Sequence, residues 1–323
     1  MRLAGFGTRH LNCSLRVGWL LFEGIMGNVA QLAALPPPRT DWPLLKRVAD
    51  WKTLVLVALI AWLYVPILIP LIRQWWMDPN FSHGFFVPLF SGFVVWEDRR
   101  RLASIPNAPS FGGLPLIMVG VFTLVLGVFG AELFLSRTSL ILLIAGLVVF
   151  FLGWKMLRAV LFPLLFLILM VPIPAIVLNQ ITFPLQILAS KVAAWSLPLC
   201  GVPVLREGNV INLPAMPLEV AHACSGIRSL LSLTTLAIMY GYVAEKRMLI
   251  RVLLALASIP IAVAANGFRI VGTGLLVQYW DPGKAEGFFH TFSGWLIFVV
   301  SLLMLFALHR CLKYFLERNE GAA

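Results

Sequence analysis

Apolar residues in this chain come in long unbroken runs, without the regular polar interruptions of a helix half-buried in a soluble core. A run of about twenty such residues is long enough to cross the hydrocarbon layer of a membrane. Runs near 53–72, 84–97, 112–131, 138–153, 157–178, 229–244, 249–268 and 291–309 predict eight spans, the second and fourth of them short. The stretch 181–199 differs in kind. Ile181, Leu185, Leu188, Val192 and Trp195 share one helical stripe while Gln186, Ser190 and Lys191 lie off it, the pattern of a helix lying in the membrane interface. The expected fold class is all-α, a polytopic transmembrane helical bundle of about eight spans plus one interfacial amphipathic helix. With no hydrophilic stretch long enough for a second folded domain, the expected organisation is an N-terminal tail over 1–50, a membrane-embedded domain over 51–312 and a short tail over 313–323.

Composition sharpens the class. Of 323 residues 60% are hydrophobic and only 12% charged, with a mean hydropathy of +0.91, against roughly a quarter charged in soluble domains. The net charge of +11 resolves into topology once the spans are counted. With the N-terminus inside, only Arg73, Arg137, Lys191, Arg206, Arg228, Arg269 and Lys284 of the 25 lysines and arginines fall outside, as the cytoplasmic bias of basic residues requires. Were 181–199 an additional crossing, Lys246, Arg247, Arg251 and the basic C-terminus would be placed outside, against that bias. Both termini are expected to be cytoplasmic. These short basic clusters beside spans fit membrane lipids as partners and not nucleic acid. The first 38 residues resemble a signal peptide only loosely, since Glu23, Gly24 and Asn28 interrupt the apolar run, and read as a mobile tail or amphipathic helix.

One interruption carries chemistry. Glu219, His222, Cys224 and Arg228 crowd into ten residues just before the span at 229–244, and ionisable groups at membrane depth mark function by default. On the charge-derived topology Cys224 and Arg228, Arg269 at the end of the next span, and His290 at the start of the last all reach the outer face. A thiol is reactive as the thiolate, which a helix N-terminus and neighbouring cations favour. Ser225 is positioned to cap the helix starting near Ile227. A histidine can exchange protons with the thiol and the leaving group, and an arginine can stabilise negative charge. Simpler readings stand beside this: Arg269 can pair with lipid headgroups or Asp281, Cys13, Cys200 and Cys311 read as small packing residues, and His309 as an interfacial residue. No metal-ligand spacing or phosphate-binding glycine motif is present, so neither metal nor cofactor is expected.

Four ordered stretches carry a resemblance. They are Val220-Ala-His222-Ala-Cys224-Ser-Gly-Ile-Arg228, Ala265-Asn-Gly-Phe-Arg269, His290 before the last span, and upstream Asn80-Phe-Ser-His83-Gly-Phe-Phe-Val-Pro88. Together they resemble the exosortase/archaeosortase family over roughly residues 50 to 312. The resemblance implies a membrane cysteine protease or transpeptidase acting on exported proteins that end in a sorting signal: a Pro-Glu-Pro-like motif, a transmembrane helix and a basic tail. It maps catalytic roles onto Cys224, Arg269 and His290. Where the family often has an acidic residue two positions before the cysteine this chain has His222, which offers a competing base, a cap or a substrate contact. Arg228 and Arg206 are candidate partners for a substrate carboxylate, and His83 a candidate for lining the site. The alternative is a non-catalytic component of polysaccharide or lipid export whose outer polar cluster binds an anionic ligand.

Overall fold

The computed structural model describes residues 51–220, 226–279 and 288–320, leaving the side chains at 52–53, 288–291 and 315–320 outside the description. The tail expected over 1–50 also lies outside it. Residues Ala58–Ala323 form one compact unit. Eleven α-helices are described: α1 Trp51–Met77, α2 Phe86–Glu97, α3 Arg99–Ser104, α4 Gly113–Phe129, α5 Leu133–Leu152, α6 Trp154–Ala159, α7 Leu161–Phe166, α8 Ala175–Leu199, α9 Ile227–Ala244, α10 Met248–Tyr279 and α11 Phe288–Glu320. Two 3₁₀ turns, Ser82–Phe85 and Leu167–Met170, complete the helical part. Six helices among the described residues are long and apolar enough to cross a membrane: α1, α5, α8, α9, α10 and α11. The polytopic helical bundle is therefore present, with a different set of long helices from the eight expected.

Three expected spans are too short to count among the six, the run at 112–131 forming the 17-residue α4. Helix α2 has 12 residues, about 18 Å at 1.5 Å per residue, against a hydrocarbon core of about 30 Å. The run at 157–178 is broken into α6, α7, a 3₁₀ turn and an extended Val171. Pro172 and Pro174 cause the last break, because a residue before proline is pushed out of the helical region.

Helix α8 is longer than the interfacial helix expected over 181–199 and is long and apolar enough to span. It begins at Ala175 and runs for 25 residues. Its polar side is the buried one: Thr182, Gln186 and Ser190 are within the protein, and Ser190 donates to the Gly208 carbonyl at 3.0 Å. Of the apolar stripe, Ile181 and Trp195 are exposed, while Val192 is partly exposed beside Gly267 of α10. Lipid solvates such exposed apolar residues as readily as a core would, which suits a helix long enough to span.

Between α8 and α9 lies a small antiparallel meander, β1 Leu205–Glu207, β2 Val210–Asn212 and β3 Pro217–Glu219, with Arg206 facing Ile211 and Ile211 facing Leu218. It is a small addition to the otherwise helical bundle. Ile211 and Val220 join Ala193, Leu197 and Ile270 in one buried cluster, which fixes the meander on α8 and α10.

Helices α9, α10 and α11 are tied together at the end opposite the candidate site. The Tyr240 hydroxyl and His309 Nδ1 share a 2.7 Å hydrogen bond, and His309 Nε2 lies 3.4 Å from Glu245 Oε2. Arg251 donates through Nε to the Glu245 carbonyl and through Nη2 to the Tyr242 carbonyl, capping the end of α9. His309, expected at the interface, is buried, while Cys200 and Cys311, expected as packing residues, are exposed.

Helices α4 and α5 pack backbone to backbone through Gly113, Gly120 and Gly127 on one helix and Gly146 on the other. A β-carbon at Gly120 would lie 3.0 Å from the Leu143 backbone nitrogen. Small residues permit such approach in membranes, where dispersion contacts drive helix association. Gly120→Val is expected to lower stability by about 1–3 kcal/mol, read as a fall in the thermal midpoint of the detergent-solubilised protein.

Candidate functional site

Arg269 sits inside α10, ten residues before its end at Tyr279 and not at the end of a span as expected, because α10 runs on past residue 268. It is half-buried. Asn266, Arg269 and Thr273 follow a three- and four-residue spacing, so they share one side of the helix, and Thr273 returns its hydroxyl to the Arg269 carbonyl at 2.9 Å. The opposite side, with Gly267 and Gly274, packs on Val192 and Leu197 of α8. That leaves the Asn266–Arg269 side for the remaining neighbours.

Three of those neighbours come from the segments singled out in the sequence. Gly226 begins α9 with φ +80°, and a β-carbon there would fall 2.8 Å from Asn266 Cγ. Glu219 and Val220, at the end of β3, border the same small crevice as Arg269, Ile270 and Thr273. From α11, a β-carbon at Gly294 would stand 3.4 Å from Arg269 Nη2. Gly294 lies four residues beyond His290, one helical turn along the same side.

Cys224 and His222 fall in the five residues between Val220 and Gly226 that lie outside the described residues. Both flanks of that segment pack on the turn of α10 that carries Arg269. His290 lies in the first turn of α11, with its side chain outside the description. The helix cap differs from the expected one: Gly226, and not Ser225, is the N-cap residue of α9, and its left-handed conformation turns the chain into the helix. The 18-residue α9 directs its N-terminus, with the partial positive charge of its free N–H groups, toward the chain two residues after Cys224.

The other candidates are spread out. Arg228 is exposed in the first turn of α9. Arg206 lies half-buried on β1 and donates from Nη1 to the Gly208 carbonyl at 2.6 Å, so its guanidinium already has a structural task. His83 is buried in the 3₁₀ turn after α1, next to Gly84, whose missing side chain admits the Trp75 indole. Burial lowers the His83 pKa, partly offset by the carbonyls of Leu169 and Asn80. Trp75 donates to the Met170 carbonyl at 2.9 Å and is buried, whereas Trp76 is exposed. His83 borders a cavity with α9 and α11. Asn266, Gly226 and Gly294 were missed in the sequence. Asn266 was visible as a polar residue next to Gly267 in an apolar run, but glycines that accept a neighbour's side chain give no signal of their own.

Gly226→Ala tests the contact. The left-handed conformation costs an alanine about 1–2 kcal/mol, and the added carbon also displaces Asn266. The variant is expected to show a lower thermal midpoint, whereas Ala223→Gly is expected to leave it unchanged.

Residues 75–307 match the family described as Transmembrane exosortase. No curated protein and no solved structure matched the chain.

Proposed function

Because the chain belongs to the transmembrane exosortase family, we propose that it is a membrane-embedded cysteine peptidase or transpeptidase that cleaves the C-terminal sorting signal of exported proteins. The observation that carries this reading is the packing of three segments on one turn of α10. Val220 and Gly226 bracket Cys224, Gly294 follows His290 by one turn, and all lie beside Asn266 or Arg269. The orientation proposed from the charge pattern places this end toward the periplasm of a bacterial inner membrane and both termini in the cytoplasm.

In the proposed reaction the Cys224 thiolate, favoured by the α9 N-terminus and the Arg269 cation, attacks the scissile carbonyl. Carbon–sulfur bond formation places negative charge on the carbonyl oxygen, which Arg269 stabilises. Collapse of that intermediate breaks the carbon–nitrogen bond, and His290 gives its proton to the departing amine. The thioacyl-enzyme is then released by water, as a peptidase, or by an acceptor amine, as a transpeptidase. His290 takes the proton of that second nucleophile and the thiolate returns. Exposed Arg228 is the proposed partner of a glutamate in the sorting motif, for which an arginine fork is suited. Arg206, engaged with Gly208, is proposed as a second, weaker contact. His222 is proposed to touch substrate and His290 to act as the base.

Co-expression with a substrate carrying a sorting signal tests this. Cys224→Ala is expected to reduce processing by about three orders of magnitude or more, and Arg269→Lys by about a hundredfold, measured by the rate of substrate shortening. Normal processing by Cys224→Ala would overturn the enzyme reading and leave binding of an anionic ligand as the role of the cluster.

A further inference from the structure

Arg137 is the one lysine, arginine or carboxylate residue that is buried among the described residues, at 4% exposed. It lies near the start of α5, about 6 Å along the helix from Leu133. One turn further in on the same side, Ile141 belongs to the buried cluster that holds Leu71, Trp75 and Met170, and Phe134 packs on that cluster. Neighbouring hydroxyls are satisfied inside the helix: Ser136 donates to the Glu132 carbonyl at 2.8 Å and Ser139 to the Ser136 carbonyl at 2.7 Å. Arg137 has no such partner. Its Nε is buried without a hydrogen bond, and among the described residues it forms no ion pair. A buried guanidinium left so is costly in any protein, and more so in a membrane.

Two further features converge here. Helical side chains lean toward the N-terminus of their own helix, so Arg137 reaches back over the first turn of α5. That turn is uncapped. Glu132 is the N-cap residue and makes no side-chain cap bond, and the α5 ladder opens with the Ser136 N–H donating to the Glu132 carbonyl. The N–H groups of Leu133, Phe134 and Leu135 therefore have no acceptor in the helix, and they stand at its positive end. The Glu132 carboxylate acts on Arg137 through space but forms no ion pair with it. Beside this turn Val128, Phe129 and Leu133 are exposed, apolar residues suited to acyl chains.

We propose that Arg137 and the first turn of α5 bind the phosphate of a membrane phospholipid at the tip of the α4–α5 hairpin. A phosphate diester carries negative charge and several acceptor oxygens, enough for the arginine fork and the free N–H groups together. A phospholipid also brings acyl chains to Val128, Phe129 and Leu133, which a free phosphate does not. A substrate carboxylate would meet the charge only during turnover and leave it unpaired in between, whereas lipid is always present. The assignment is independent of the catalytic reading and of which leaflet faces this end, because both leaflets present phosphate.

The test compares full-length wild type, Arg137→Gln and Arg137→Met after delipidation in a neutral detergent. Phosphatidylglycerol, the matching diacylglycerol, inorganic phosphate or a glutamate-bearing peptide is then added back. Without lipid, both variants are expected to have thermal midpoints at least as high as wild type, since removing an unpaired buried charge relieves its cost. Phosphatidylglycerol is expected to raise the wild-type midpoint and to bind wild type about tenfold or more tighter than either variant, as loss of one charge-assisted contact requires. The other three additions are expected to leave every midpoint unchanged. An equal response of wild type and variants to phosphatidylglycerol, or a response to diacylglycerol as large, would overturn the assignment. Inorganic phosphate or the peptide reproducing the effect would give the site to a soluble phosphate or to a carboxylate, and overturn it likewise. Equal losses of midpoint in lipid-free Arg137→Gln and Glu132→Gln would make Glu132 the partner and leave no place for the lipid.

Discussion

Gly226 starts α9 in a left-handed turn and lies so close to Asn266 that no side chain fits between them. Much depends on this approach. It sets where the chain that contains Cys224 ends, how the N-terminus of α9 is aimed and how near that segment comes to Arg269, one turn along α10. The far ends of the same helices are held by the Tyr240–His309–Glu245 chain and by Arg251 on the last carbonyls of α9. Held at one end by polar contacts and at the other by a glycine contact, α9, α10 and α11 have little freedom to shift along one another.

The membrane explains why the polar residues lie inside. Tyr64 and Ser139 share a 2.9 Å hydrogen bond in the interior, and Gln186 and Ser190 of α8 are buried while Trp62, Trp195 and Phe129 are exposed. In water that arrangement would be inverted. In lipid the apolar surface costs nothing and buried polar groups gain by finding one another. Glycines take the place that large apolar side chains hold in a soluble core, because close backbone approach replaces hydrophobic burial as the source of contact. The α4–α5 seam and the Gly226–Asn266 and Gly294–Arg269 contacts are three instances of that rule.

The same inversion set the limit on what could be read in the sequence. Long apolar runs announced α1, α5, α9, α10 and α11 well, since length is what a bilayer demands. They overcounted at 157–178, where Pro172 and Pro174 divide an otherwise apolar run, at 84–97, where α2 is only 12 residues long, and at 112–131, where α4 has 17. They left the length of α8 unread, because a stripe pattern reports which face is apolar but not whether lipid or water lies beside it. The meander at 205–219 consists of three-residue strands, too short for alternation to register. At the candidate site, Arg269 and its motif were evident as costly residues in an apolar chain. Gly226 and Gly294 were not evident, because a glycine's role there is defined by the side chain that fills its space.

The central claim is that the Cys224 segment and the first turn of α11 meet at Arg269. It is tested most directly by a disulfide between native Cys224 and a cysteine introduced as His290→Cys, with Cys13, Cys200 and Cys311 changed to serine. Disulfides require Cα atoms within about 7 Å, so mild oxidation is expected to link residues 224 and 290 rapidly, seen as a bridged peptide in mass spectra. A bridge that forms no faster than one to a cysteine at Phe298, two turns deeper on α11, would contradict the account.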